Sequence, residues 1–148
     1  MGLIEAINVG KQGLMAHSKR VEIHAKNIAN IDTPNYVRKI PVLYATEDVS
    51  FNNVLNNAKN EVFASGTMPY ISGGVTFNGV VDDPTPSELV YRPGHPDADE
   101  NGNVRLSNVN PLVDMADATM SSRAYEASMA IISITKTMAQ KAQDMGRQ

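Results

Sequence analysis

Leu3-Ile4-Glu5-Ala6-Ile7-Asn8-Val9-Gly10-Lys11-Gln12-Gly13-Leu14 opens a stretch that stays in helical register as far as Ile28. Leu3, Ile7, Gly10, Leu14, His17, Val21, Ala25 and Ile28 recur at steps of three and four, which is one face of an α-helix. Within it the seven-residue series Ile7, Leu14, Val21 and Ile28 is wholly apolar. Gly10 and Gly13 each cost roughly 1 kcal/mol relative to Ala, so this helix depends on packing for its order. It is predicted to stop near Asn30, because Asp32-Thr33-Pro34-Asn35 is turn chemistry. Pro34 disfavours helix at Thr33, and Asp and Asn supply local side-chain hydrogen bonds.

The far end carries a matching stripe. With Val113 at position a, the a series is Val113, Met120, Ala127, Ile134 and Lys141, and the d series is Asp117, Ala124, Ile131, Met138 and Met145. Only Asp117 and Lys141 break the apolar pattern, so residues 109–148 read as a coiled-coil helix, with Pro111 suited to its first turn. Small Ala permits close helix approach and Met adapts to irregular surfaces, so the seam suits non-identical neighbours. Neither stripe is stable in water without a partner helix. Two helical ends of this kind suggest a subunit that assembles.

Between them lies a middle module, 39–108. Phe51, Val54, Leu55, Ala58 and Val62 predict a short helix near 50–63. From Gly73 the period shortens, and Val75, Phe77 and Val81, then Glu88–Tyr91 and Asn103–Leu106, predict short strands separated by Pro- and Gly-rich turns. The expected fold is α+β, with long N- and C-terminal helices pairing as a coiled coil around a small β-rich middle. Residues 1–38 form the first unit, the helix with its following turn.

Composition narrows the function. The 148 residues carry 13 basic and 16 acidic side chains, a net charge of −3, without a basic stripe. Five Tyr and three Phe are scattered, so nucleic-acid binding is not expected. There is no Cys, hence no disulfide, thiolate metal site or cysteine nucleophile. The start lacks the cationic and apolar regions of a cleaved signal, and no apolar run approaches the ~20 residues of a membrane span.

Candidate chemistry is sparse. Asp97-Ala98-Asp99-Glu100-Asn101-Gly102 matches the first half of a calcium-binding loop, but Asn108 stands at the twelfth position, where a bidentate Glu is needed. A tight acidic turn between strands is the expectation. His17 and His24, seven apart, lie ~10 Å from each other along a helix, too far to share one ion, and read as interfacial residues. The acids Asp82, Asp83, Asp97 and Asp99 have no apolar pocket around them, and no nucleophile or phosphate motif occurs. The expectation is therefore no catalytic residue, no cofactor and no metal. Asn27 and Asn30, three apart at the helix end, can cap carbonyls or bond to a neighbour.

The stretch Ala29-Asn30-Ile31-Asp32-Thr33-Pro34-Asn35-Tyr36-Val37-Arg38 resembles the N-terminal signature of the flagellar axial proteins, the rod, hook and filament family. Asn108-Val109-Asn110, Asp114-Met115 and Ser122-Arg123-Ala124-Tyr125-Glu126-Ala127 look like that family's C-terminal signature, with Asp114 where Glu is more common and Ser128 where Asn is usual. In the middle, Leu89-Val90-Tyr91-Arg92-Pro93-Gly94-His95-Pro96-Asp97-Ala98-Asp99 narrows the resemblance to one rod-protein branch.

What the resemblance implies is a non-enzymatic structural subunit of the proximal rod, crossing the periplasm and transmitting torque. It implies export by the flagellar type III apparatus without a cleaved signal, and terminal helices that order on assembly with other rod proteins and further copies. The interface residues it suggests are Ile7, Leu14, Val21, Asn27, Ile28, Asn30, Thr33, Pro34, Tyr36 and Arg38 at one end. At the other they are Met120, Arg123, Tyr125, Ala127, Ile131, Ile134 and Met138, with Arg123 expected to meet a neighbour's carboxylate. The rival reading is a soluble coiled-coil adaptor or export-chaperone-like binding protein, whose seam a single partner would cover.

Overall fold

A computed structural model describes residues 3–45 and 73–146. Among the described residues helix α1 runs Leu3–Ala29 and helix α2 Pro111–Met145, with four short strands between them: β1 Lys39–Ala45, β2 Val75–Asp82, β3 Leu89–Tyr91 and β4 Asn103–Arg105. The helix expected near 50–63 lies outside the described residues.

The two helices pack antiparallel. Gly10 faces Ile132 and Gly13 faces Ser128, whereas His24 at the other end of α1 meets Asp114 at the start of α2. The sequence stripes are not the surfaces that meet. On α2 the buried positions are Asp114, Ser121, Ser128 and Thr135, a strict seven-residue series of polar residues. On α1 they are Gly10, Gly13, Ala16, Ile23, His24 and Asn27. Ile7, Leu14, Val21 and Ile28 are only half-buried, while Met120, Ile131, Ile134 and Met138 are exposed.

A seam of small polar residues works for two reasons. The hydroxyls of Ser121, Ser128 and Thr135 donate to the carbonyls of Asp117, Ala124 and Ile131, one turn back in their own helix, so they need no partner from α1. The glycines let the backbones close up. A Cβ at Gly10 would lie 2.7 Å from Ile132 Cγ1, and one at Gly13 2.8 Å from Ser128 Oγ. The glycines that weaken α1 as an isolated helix are thus what admit its neighbour.

Each helix end has a local cause. Asn110 caps α2 by accepting the N–H groups of Leu112 and Val113, with Pro111 following. At the end of α1, Asn30 donates its amide to the Lys26 carbonyl, and Thr33–Tyr36 makes a turn with Asn35 at φ 60. Asn35 tolerates that left-handed backbone, and Pro34 supplies the preceding corner.

β1 pairs antiparallel with β2, and both pack on α1. Between Pro41 and Leu43 the register slips, so Val42 faces both Asn78 and Gly79, and Gly79 takes φ 104, a bulge conformation that favours glycine. β3 and β4 form a separate hairpin. In its connection Asp99 accepts the N–H groups of Asn101 and Asn103, and Gly102 sits at φ 76 against Tyr91. The Asp97–Gly102 segment is thus a tight turn whose central carboxylate serves the backbone. The hairpin joins the rest through Val104, buried, and through Asn35 N–H donating to the Arg105 carbonyl at 2.9 Å.

Candidate functional site

Two features stand out, a closed polar cluster at one end of the helix pair and an uncovered apolar face along α2. The cluster begins with Asp114, in the first turn of α2, where the helix dipole favours an anion. Its side chain has no solvent exposure. One oxygen accepts from His24 Nδ1 at 2.8 Å and Asn27 Nδ2 at 3.0 Å, and the other from Arg38 Nε at 2.8 Å. An ionised carboxylate only accepts, so His24 carries its proton on Nδ1. His24 Nε2 is buried without a hydrogen-bond partner among the described residues.

Asn27 is wholly buried and fully used. Its carbonyl accepts from Lys39 N–H at 2.9 Å and Tyr36 OH at 3.0 Å, and its amide donates to the Lys39 carbonyl at 2.8 Å as well as to Asp114. The side chain thereby pairs with the first residue of β1 as a neighbouring strand would. Arg38 reaches Asp83 at 3.2 Å and Asp117 at 3.5 Å beyond its contact with Asp114. Its own N–H donates to Asn108 Oδ1 at 2.6 Å, and Asn108 in turn donates to the Thr85 carbonyl at 2.9 Å. One cluster therefore ties α1, the turn, β1, the segment after β2 and α2 together.

The electrostatics follow from this wiring. Burial pushes the Asp114 carboxyl up, but hydrogen bonds from Arg38, His24 and Asn27 outweigh it and hold the group below the usual carboxylate range. The Asp114 hydrogen bond raises Arg38 further above its already high value. Burial raises the Tyr36 phenol, which stays neutral as a donor. Thr85, through its hydroxyl and backbone, lowers Asp83. Apart from His24 Nε2, acceptors and donors here satisfy one another, an arrangement suited to fixing geometry.

The second feature is the outer face of α2. Met120, Ala127, Ile131, Ile134 and Met138 are all exposed there. Arg123 is exposed beside them and makes no hydrogen bond or ion pair among the described residues. A groove of about 380 Å³ runs along Leu112, Met115, Ala116, Thr119, Met120 and Arg123. Tyr125 differs: it is half-buried beside Leu14, Met15, Ser18 and Lys19 of α1.

The residues expected at subunit contacts thus divide by environment. Asn27, Tyr36 and Arg38 meet inside the chain. Asn30 caps α1 by way of the Lys26 carbonyl and accepts from the Thr33 hydroxyl, and Pro34 shapes the turn. Ile7, Leu14, Val21 and Ile28 flank the helix seam, and the remaining residues on α2 face outward. Asp114, His24, Asn108 and Asp83 belong to the cluster although the sequence reading did not join them. The one available signal was the seven-residue series that starts at Asp114 and continues through Ser121, Ser128 and Thr135.

Comparison with known sequences bears on the same two segments. A family described as "Flagella basal body rod protein" matches residues 7–36, and one described as "Flagellar basal body rod FlgEFG protein C-terminal" matches residues 100–145. Proteins named flagellar basal-body rod protein FlgC align over nearly the whole chain. The one from Borreliella burgdorferi is 35% identical over 93% of this chain and 93% of its own length. The one from Bacillus subtilis is 32% identical over 99% of this chain and 100% of its own length. This chain belongs to the FlgC family of flagellar basal-body rod proteins. In this FlgC-family chain the two matched segments are α1 with its turn and α2 with the strand before it, and Asp114 is where they are bonded together.

Proposed function

We propose that this chain is a non-enzymatic structural subunit of the flagellar rod, which assembles through the outward faces of its terminal helices and carries torque across the periplasm. Family membership supports the rod assignment, and the uncovered apolar face of α2 carries the assembly reading. Val113, Met120, Ile131, Ile134, Met138 and Met145 remain exposed although α2 is already paired with α1, so the intrachain contact leaves this stripe for another molecule. From Val113 to Met145 the stripe extends ~48 Å along the helix, enough to load many contacts in parallel.

The partners are other rod proteins and further copies of this chain, with Arg123 offering a cation at the edge of the stripe. Leu14, Val21 and Ile28 add a flank on α1. Delivery is by the flagellar type III export apparatus without a cleaved leader. Among the described residues no helix is long and apolar enough to cross a membrane.

The test is incorporation. Full-length chain carrying Met120→Asp with Ile134→Asp is produced in a flagellated host that lacks its own copy, and peptides are quantified in detergent-washed basal bodies. The variant is expected to fold as the parent does and to be missing from basal bodies. Normal incorporation would remove the α2 face from the interface. A stable one-to-one complex of the parent with a soluble partner, without any copies in basal bodies, would favour the adaptor reading.

A further inference from the structure

The composition of the exposed stripe carries a chemical consequence. Of eight methionines in the chain, five lie on α2, and all five are exposed. They do not share a face. Met120 and Met138 are eighteen residues apart, five full turns at 3.6 residues each, so they fall on one line with Met145 one heptad further. These are the stripe residues, exposed at 66%, 59% and 73%. Met115 and Met129 are as open, at 58% and 53%, but helical geometry turns them ~140° and ~180° away from Met120.

We propose that Met120 and Met138 form an oxidation-sensitive site controlling entry of the subunit into the rod. The proposal rests on the assembly reading above. The oxidant class is a peroxide. A thioether lone pair attacks one peroxide oxygen, the O–O bond breaks, and the departing hydroxide takes up the second proton, giving sulfoxide and water. Sulfur is oxidised and the peroxide oxygens are reduced. The product places a polar S=O group where an apolar surface is to be covered, and burying it without a hydrogen-bond donor is unfavourable. Both sulfurs are open before assembly and covered after it, so oxidation acts on the free subunit.

The fold itself is insensitive, because neither side chain enters the α1–α2 seam, whose buried residues on α2 are Asp114, Ser121, Ser128 and Thr135. Met129 serves as the internal control, since it oxidises on the same helix opposite the stripe, whereas Met115 lines the groove beside Met120 and Arg123.

The experiment uses the full chain in a flagellated host lacking its own copy and its methionine sulfoxide reductases. Cells are pulsed with hydrogen peroxide, quenched with catalase, and only then allowed to build rods. Peptide mass spectrometry compares sulfoxide at each methionine in washed basal bodies with the unincorporated pool. Sulfoxide at Met120 and Met138 is expected to be depleted at least ~10-fold in basal bodies, the scale of losing one buried methionine, with Met129 equal in both pools. Sulfoxide at Met120 and Met138 as frequent in basal bodies as in the unincorporated pool overturns the proposal. Met120→Asp separates the two levels. If that variant is excluded while the sulfoxide is not, the oxidation proposal alone fails; if it assembles, the interface reading fails with it.

Discussion

Replacing Asp114 by Ala removes the acceptor at the centre of the cluster. Three donors lose their partner: His24 Nδ1, Asn27 Nδ2 and Arg38 Nε. Each buried donor left unpaired costs about 1–3 kcal/mol. Arg38 keeps Asp83 and Asp117, which limits its share. Breaking one side of a buried ion pair generally costs about 3–5 kcal/mol, and the same range is expected here. For a chain of this size that corresponds to a fall in melting temperature of ~10–15 °C.

Urea unfolding followed by circular dichroism measures the loss, with Asp114→Asn as the companion that keeps shape and one acceptor. The wild-type contribution also has a defined pH dependence. Asp114 titrates below the usual carboxylate range in the folded chain, so on acidification the unfolded chain takes up that proton first. Its contribution is complete above about pH 4 and is lost as pH falls through the lower folded value. The stability gap between wild type and Asp114→Asn should therefore be constant near neutrality and close in acid. A loss under ~1 kcal/mol for Asp114→Ala, with parallel pH curves for all three proteins, would refute the claim that this cluster holds the helices.

Two further predictions test the seam and the cap. Gly10→Val is expected to cost about 2–3 kcal/mol, because its Cβ would press on Ile132 Cγ1, and Ile132→Ala in the same chain should recover part of that loss in thermal melts. Asn110→Ala removes the acceptor for the Leu112 and Val113 N–H groups and should destabilise by about 1 kcal/mol, with fraying read by hydrogen exchange at the start of α2.

Both long helices were legible because apolar spacing marks any helix that must bury a face. Which face meets which partner was not legible. The inner seam of α2 is Asp114, Ser121, Ser128 and Thr135, residues a hydrophobic pattern scores as solvent-facing. Their burial depends on hydroxyls turned back to their own carbonyls and on glycines opposite, facts of pairing that one helix does not record. The Thr33–Tyr36 turn was legible because Pro34 and Asn35 act locally. The choice between a capping and a bonding asparagine was open until the partners were placed: Asn30 caps, and Asn27 bonds to β1 and Asp114. β1 went unread because Pro41 interrupts it and its partner, β2, begins at Val75.

The chain thus closes a polar cluster inside and leaves an apolar face of α2 exposed, and the inner cluster solves a register problem. On α2 Ser121, Ser128 and Thr135 recur every seven residues and look much alike after a slide of one heptad, so that side of the seam discriminates poorly between registers, and only the glycines of α1, whose places Leu3 and Ala6 would take, resist it sterically. The cluster does not tolerate the slide. Moving α1 by seven residues against β1 and α2 would bring His17 to the place of His24, but Arg20 would replace Asn27, and the Tyr36 hydroxyl and the Lys39 backbone would lose their partner. The polar groups that Asn27 satisfies would be left unpaired, at about 1–3 kcal/mol for each one that stays buried. Only the observed register keeps Asn27 between Asp114, Tyr36 and the Lys39 backbone, and that register fixes how far the apolar stripe of α2 is displaced from α1. The outward face is held in a defined position by bonds that compete with none of the contacts it is free to make.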